Sequence, residues 1–220
     1  MRKQTTLQHK LIMAVTGLFL CLYLVIHLLG NLQLLLPPEQ ARLQFNAYSR
    51  LLSGNYFIKA VSWILLLTLV AHAVYALIIT RKNAAAAGIK YAHDRRVAVT
   101  SWASRNMGLL GTIILIFLVI HYKDFWYPYS FTTLSPDSNG NKDLYGIVVS
   151  SFRQLWYVLL YELSFIALGY HLLHGFFSAA RTLGVFHPKY ERGVRMLGKV
   201  YTAAITLGFM AIPIYVYFKL

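Results

Sequence analysis

The chain has one cysteine, Cys21, in 220 residues. An internal disulfide and an iron–sulfur cluster, which needs several thiolates, are therefore both excluded. There is no Cys-x-x-Cys-His run for covalent haem and no nucleotide-binding glycine pattern. Any iron held by this chain is held by histidine. Charge is scarce too: 13% of residues are charged against 58% hydrophobic, and mean hydropathy is +0.54. That is not the balance of a soluble domain. The basic start (Arg2, Lys3, Lys10) leads into an apolar run about twice the length of a signal core, with no small-x-small cleavage site after it, so the run is read as a retained helix.

What the chain does have is five apolar runs, at about 11–36, 58–80, 106–128, 153–180 and 197–218. Each is long enough, at about 20 residues, to cross a ~30 Å hydrocarbon core. The expected fold is an all-α membrane protein, one integral domain over 1–220 with five transmembrane helices, I to V. A net charge of +14 raises the question of nucleic acid, and its placement answers it. Three bases precede helix I. Six lie between helices II and III (Arg81, Lys82, Lys90, Arg95, Arg96, Arg105), and five between IV and V (Arg181, Lys189, Arg192, Arg195, Lys199). The other side has only Arg42, Arg50, Lys59, Lys123, Lys142, Arg153 and Lys219. This asymmetry puts the N-terminus in the cytoplasm and the C-terminus outside, with the lipid bilayer and not nucleic acid as the partner.

Outside, residues 39–56 read as a short interfacial helix and a turn. Asp124-Phe125-Trp126-Tyr127-Pro128 reads as an aromatic girdle closed by proline, and the loop from Tyr129 to Ser151 is long enough to fold over the outer surface. Pro136-Asp137 and Asn139-Gly140 mark turns in it.

Four histidines, one on each of helices I to IV, lie well inside the spans. Leu24-Val25-Ile26-His27 recurs as Leu118-Val119-Ile120-His121, each with a glycine ten residues earlier, Gly17 and Gly111. Helices II and IV carry His72 and His171, so the halves form a weak repeat of two-helix units. Counted from the cytoplasmic charges at ~1.5 Å per residue, His27 and His121 both lie ~25 Å up, and His72 and His171 both ~14 Å up. A buried imidazole needs a partner, since an unsatisfied polar ring costs a few kcal/mol. Equal depth on different helices is what a bis-histidine haem b requires, and two such haems ~10 Å apart in depth would make a short electron path. Gly17 and Gly111, near the lower level, would leave room for a porphyrin edge. His174, three residues beyond His171, competes for the inner site at a depth of only ~10 Å. His9, His93 and His187 read as solvated surface.

Haem propionates need donors at each face: Trp102, Ser104, Arg105 and Arg181 inside, Arg153 outside. Proton-coupled chemistry inside a membrane needs hydrogen-bond partners and a proton carrier. Glu162 is the only acid clearly within a span and so a functional suspect; Asn31, one turn above His27, is a second candidate.

The residues Leu11-Ile12-Met13-Ala14-Val15-Thr16-Gly17-Leu18-Phe19-Leu20, His27-Leu28, Ser101-Trp102-Ala103-Ser104-Arg105-Asn106-Met107, and His121 with Asp124-Phe125-Trp126-Tyr127 resemble the di-haem cytochrome b subunit of succinate dehydrogenase/fumarate reductase, in its bacterial five-helix form. The resemblance implies a bundle of helices I–IV around two haems b, with His27 and His121 on the distal iron and His72 and His171 on the proximal one. It favours His171 because Gly175 follows four residues later. It further implies a flavoprotein subunit and an iron–sulfur subunit on the cytoplasmic face of the bacterial inner membrane. Electrons would pass between a dicarboxylate at the flavin and a quinone, menaquinone being expected, with Glu162 and Asn31 as the quinone or proton candidates. One departure is that the family's quinone-site acid near the start of helix II has no counterpart here, where Lys59 is the charge present. Two rival classes are a proton or metal transporter, which uses intramembrane His and Glu but usually with broken helices and several carboxylates, and a passive anchor, which has no need of paired histidines.

Overall fold

A backbone in hydrocarbon must satisfy its own hydrogen bonds, so apolar runs of this length become helices. The computed structural model describes residues 6–86 and 101–220. In chain order the elements are α1 (Thr6–Asn31), a 3-10 turn (Leu32–Leu35), α2 (Pro38–Gly54), α3 (Tyr56–Ala86), α4 (Trp102–Arg105), α5 (Met107–His121), a π turn (Tyr122–Trp126), α6 (Tyr127–Phe131), α7 (Leu144–Phe152), α8 (Leu155–Thr182) and α9 (Glu191–Lys219). Five stretches are long and apolar enough to span a membrane: Leu7–Leu35, Tyr56–Asn83, Met107–Phe131, Leu155–Thr182 and Glu191–Lys219. α1, α3, α5, α8 and α9 are thus helices I to V.

Several boundaries differ from expectation, among them α1, which starts at Thr6 and not near Leu11, and α3, which runs on to Ala86. Helix III does not stop at Pro128: the π turn feeds α6, where Pro128 sits in the first turn and needs no donor. Helix V begins at Glu191 instead of near residue 197, its charged first turns supported by the Arg195–Glu191 pair at 2.7 Å. The outer loop holds the unforeseen helix α7, N-capped by Asp143, whose carboxylate accepts from the Gly146 N–H. His9 is also corrected. It is buried, 5% exposed, with its ring 5.6 Å from Tyr75, because α1 starts early enough to turn this residue onto α3. His187 is exposed, as expected; His93 lies outside the described residues.

The first four spans form a four-sided bundle. α1 packs on α3 and α8, and α5 packs on the same two helices. α1 and α5 therefore face each other across one diagonal, α3 and α8 across the other. α9 lies outside this bundle, against α8 and α1. Its approach to α1 depends on Gly208, where a Cβ would sit 2.7 Å from Leu28 Cδ2. Tyr201 donates to the Cys21 carbonyl at 2.8 Å, and Phe165 stacks on Phe209 at 5.5 Å.

At the end assigned to the outside, called outer below, α2 and α7 pack together and Asn46 joins them to the loop. Fully buried Asn46 donates to Asp137 Oδ2 (3.1 Å) and Asp143 Oδ1 (2.9 Å) and accepts from the Tyr145 N–H (2.9 Å). Arg42 grips Asp143 with two nitrogens at 3.3 and 2.7 Å. Burial works against both carboxylate charges but is outweighed. Bonds from Arg42, Asn46 and Gly146 hold Asp143 below the usual carboxylate range, and bonds from Asn141, Asn46 and Asn139 do the same for Asp137.

Candidate functional site: two histidine pairs across the bundle

The structure brings the four intramembrane histidines together in two pairs. His27 of α1 and His121 of α5 have ring centroids 5.7 Å apart, with planes at 89°. His72 of α3 and His171 of α8 are 6.3 Å apart, with planes at 65°. Each pair bridges one diagonal of the bundle. The two levels can be read on the helices themselves: a Cβ at Gly17 would lie 3.4 Å from His72 Cε1, and one at Gly111 would lie 3.9 Å from His171 Cε1. Gly17 precedes His27, and Gly111 precedes His121, by the same ten residues. The levels are therefore ~15 Å apart along both helices, more than the ~10 Å counted from loop charges.

The Thr16 hydroxyl lies 2.7 Å from the Ile12 carbonyl, to which it donates, and 3.0 Å from His72 Nδ1. With the hydroxyl hydrogen on that carbonyl, the contact with His72 is one in which the imidazole Nδ1–H donates. His171 Nδ1 is buried without a hydrogen-bond partner. His27 is stacked on Tyr23, with centroids 5.3 Å apart and planes at 17°. Tyr23 and Asn31 flank it at i−4 and i+4, and the Asn31 amide donates to the His27 carbonyl at 2.8 Å. His121 Nδ1 lies 3.1 Å from the Tyr161 hydroxyl, which lies 3.2 Å from that of Tyr157, which donates to Asp124 at 3.1 Å. The sequence reading missed Tyr157, Tyr161 and Thr16. The i, i+4 spacing of the two tyrosines, and Asp124 one turn after His121, were the available signals.

Two nitrogen–metal bonds of ~2 Å, plus about 1 Å from each nitrogen to its ring centre, put two axial imidazoles ~6 Å apart. Both observed centroid separations match that spacing, and Gly17 and Gly111 present no side chain to His72 and His171. Among the described residues no group of three or more His, Cys, Asp or Glu could hold a bare metal ion. A porphyrin, which supplies four nitrogens itself, asks only for two.

The remaining candidates are dispersed. Trp102 packs on Tyr170 at 5.6 Å and the Ser104 N–H is capped by Ser101, while Arg105 ends α4. Arg181 donates to the Phe177 carbonyl and lies over the Phe186 ring. These four share the inner end. Arg153 is engaged with the Leu220 carbonyl at 2.5 Å, at the end of α9. Glu162 has both carboxylate oxygens buried without a partner. It shares a helical face with Phe165 and Gly169, which meet Phe209 and Thr206 of α9, and Phe209 in turn lies 5.6 Å from the His27 ring. Searches of family models, curated proteins and solved structures found no match to this chain.

Proposed function

We propose that this chain is the membrane cytochrome b subunit of a bacterial succinate:quinone oxidoreductase, passing electrons between an iron–sulfur subunit on the cytoplasmic face and a quinone. One observation carries the reading: four intramembrane histidines meet as two pairs, each across one diagonal of the bundle and each at its own depth. His27 and His121 would hold an outer haem b, and His72 and His171 an inner one. Bound in this way, haem iron takes and gives single electrons without changing its ligands. The chain's own residues do the rest. The helices hold the rings in apolar surroundings, Thr16 contacts His72 Nδ1, and Gly17 and Gly111 keep side chains off His72 and His171. Dicarboxylate chemistry belongs to a separate flavoprotein subunit, since this chain has neither cysteine clusters nor a nucleotide-binding pattern. Glu162 and Asn31 remain quinone or proton candidates, with menaquinone the expected substrate. Trp102, Ser104, Arg105, Arg181 and Arg153 remain propionate candidates.

The test is a reduced-minus-oxidised spectrum with haem quantified per chain on the purified membrane protein. Two b haems are expected. His27→Ala or His121→Ala should remove the outer one alone, and His72→Ala or His171→Ala the inner one. Protein without haem refutes the proposal. The partnerless carboxylate of Glu162 is the observation that favours an ion transporter instead, and that reading predicts colourless protein.

A further inference from the structure

The hydrogen-bonded series behind His121 leads from the outer histidine pair to the outer surface. It starts at Lys123, whose ammonium is 2.9 Å from Asp124 Oδ1, with side chains 77% and 25% exposed. An ion-paired carboxylate only accepts, so Tyr157 donates to Asp124. Tyr157 has then spent its one hydrogen, and its contact with Tyr161 needs Tyr161 as donor. Tyr161 in turn has none left for His121. Its oxygen must accept from His121 Nδ1–H. The opposite assignment would leave two buried oxygens 3.2 Å apart with no proton between them, at the cost of an unmade hydrogen bond in a dry site. The site is dry: the rings of Phe117 and Phe152 both lie 4.9 Å from that of Tyr161, and Phe125 lies 5.3 Å from His121.

We propose that Asp124, Tyr157 and Tyr161 form a positioning relay that locks His121 as the Nδ1–H tautomer and aims its Nε2 lone pair into the bundle. Asp124 sets the direction of every bond in the series, although it never touches the ring it orients. Second-shell groups that accept from a ligating imidazole fix its orientation and raise its basicity. The iron that Nε2 would meet rests on the function proposed above, whereas the direction of the hydrogen bonds does not.

The experiment is ¹⁵N NMR of histidine-labelled protein in bilayers, made with and without haem, on wild type, Tyr161→Phe, Tyr157→Phe, Asp124→Leu and Asp124→Glu. In wild type the His121 Nδ1 should carry the proton and show a hydrogen-bonded shift. Tyr161→Phe should abolish that shift. Tyr157→Phe, in haem-free protein, should release the Tyr161 hydrogen toward the ring and give mixed tautomers. Asp124→Leu should do likewise and Asp124→Glu should restore the lock. In haem-loaded protein, Tyr161→Phe should raise the midpoint potential of the outer haem alone, by about 59 mV for each tenfold loss of preference for the ferric state. A purely structural role would lower haem content and leave the tautomer and potential where they were. Nε2 protonation of His121 in wild type, or a Tyr161→Phe spectrum identical to wild type, overturns the proposal. Protein that binds no haem overturns the electron-transfer reading, while its haem-free spectra still decide the relay.

Discussion

Gly17 offers a graded test of the inner site. A Cβ there would lie 3.4 Å from His72 Cε1 and 3.9 Å from Nδ1, which is ordinary van der Waals contact. Gly17→Ala should therefore keep the site and strengthen α1 by roughly 0.5–1 kcal/mol from helix propensity. Valine reaches another ~1.5 Å beyond Cβ, and its χ1 is nearly fixed in a helix, so the ring has to move instead. Overpacking of this kind costs about 1–3 kcal/mol, equivalent to roughly a 5- to 150-fold loss of inner-haem affinity. At Gly111 the nearest His171 atom is 3.9 Å away, so Gly111→Val should cost less than Gly17→Val. The assay is haem titration of the haem-depleted protein, with inner and outer contributions separated by redox titration of the visible band and the outer haem serving as internal control. Full inner-haem affinity in Gly17→Val, or selective loss of the outer haem, refutes the assignment of Gly17 to the inner level.

Asn46→Ala removes two amide bonds to carboxylates and strands the buried Tyr145 N–H. Local opening of the outer cap should become easier by about 3 kcal/mol, roughly 150-fold, measured as faster hydrogen exchange at Asn141, Tyr145 and Gly146. The same cap should be acid-labile. Asp137 and Asp143 have folded-state pKa values below their unfolded ones, so their contribution is complete above the unfolded value of ~3.9 and fades as pH falls through the folded values. Exchange in the cap, corrected for intrinsic rates, should be flat from pH 7 to 5 and should accelerate toward pH 3. Glu162→Gln should leave both proposed haems in place, since the carboxylate makes no hydrogen bond to any of the four histidines. If it carries protons or binds quinone, quinone turnover falls several-fold, and unchanged turnover removes it from the site.

Much of this architecture was legible in the residues because hydrocarbon imposes strict rules. Five spans follow from run length and backbone self-satisfaction, and the common levels of His27 with His121 and of His72 with His171 follow from helix rise. The boundaries that were misplaced are those where polar chemistry extends a helix past its apolar run. The Glu191–Arg195 pair does so at the start of α9, and Pro128 in the first turn of α6 does so after α5. His9 was misread because its basic neighbours suggested water, whereas its position on α1 turns it onto Tyr75.

Sequence by itself determined how many helices are long and apolar enough to cross a membrane, that the basic loops gather at one end of them, and which histidines share a depth. Only the tertiary structure decided the order of helices around the bundle and the two diagonals that the pairs bridge; His171 opposite His72, expected from depth, is what it shows. It also decided that His121 is backed by Tyr161, Tyr157 and Asp124 while His171 Nδ1 has no hydrogen-bond partner. The physical reason is that lipid is as apolar as leucine, so hydropathy does not record which side of a helix meets a neighbour. That choice is made by small residues such as Gly17, Gly111 and Gly208, and by polar groups whose hydrogen-bond partners lie on other helices.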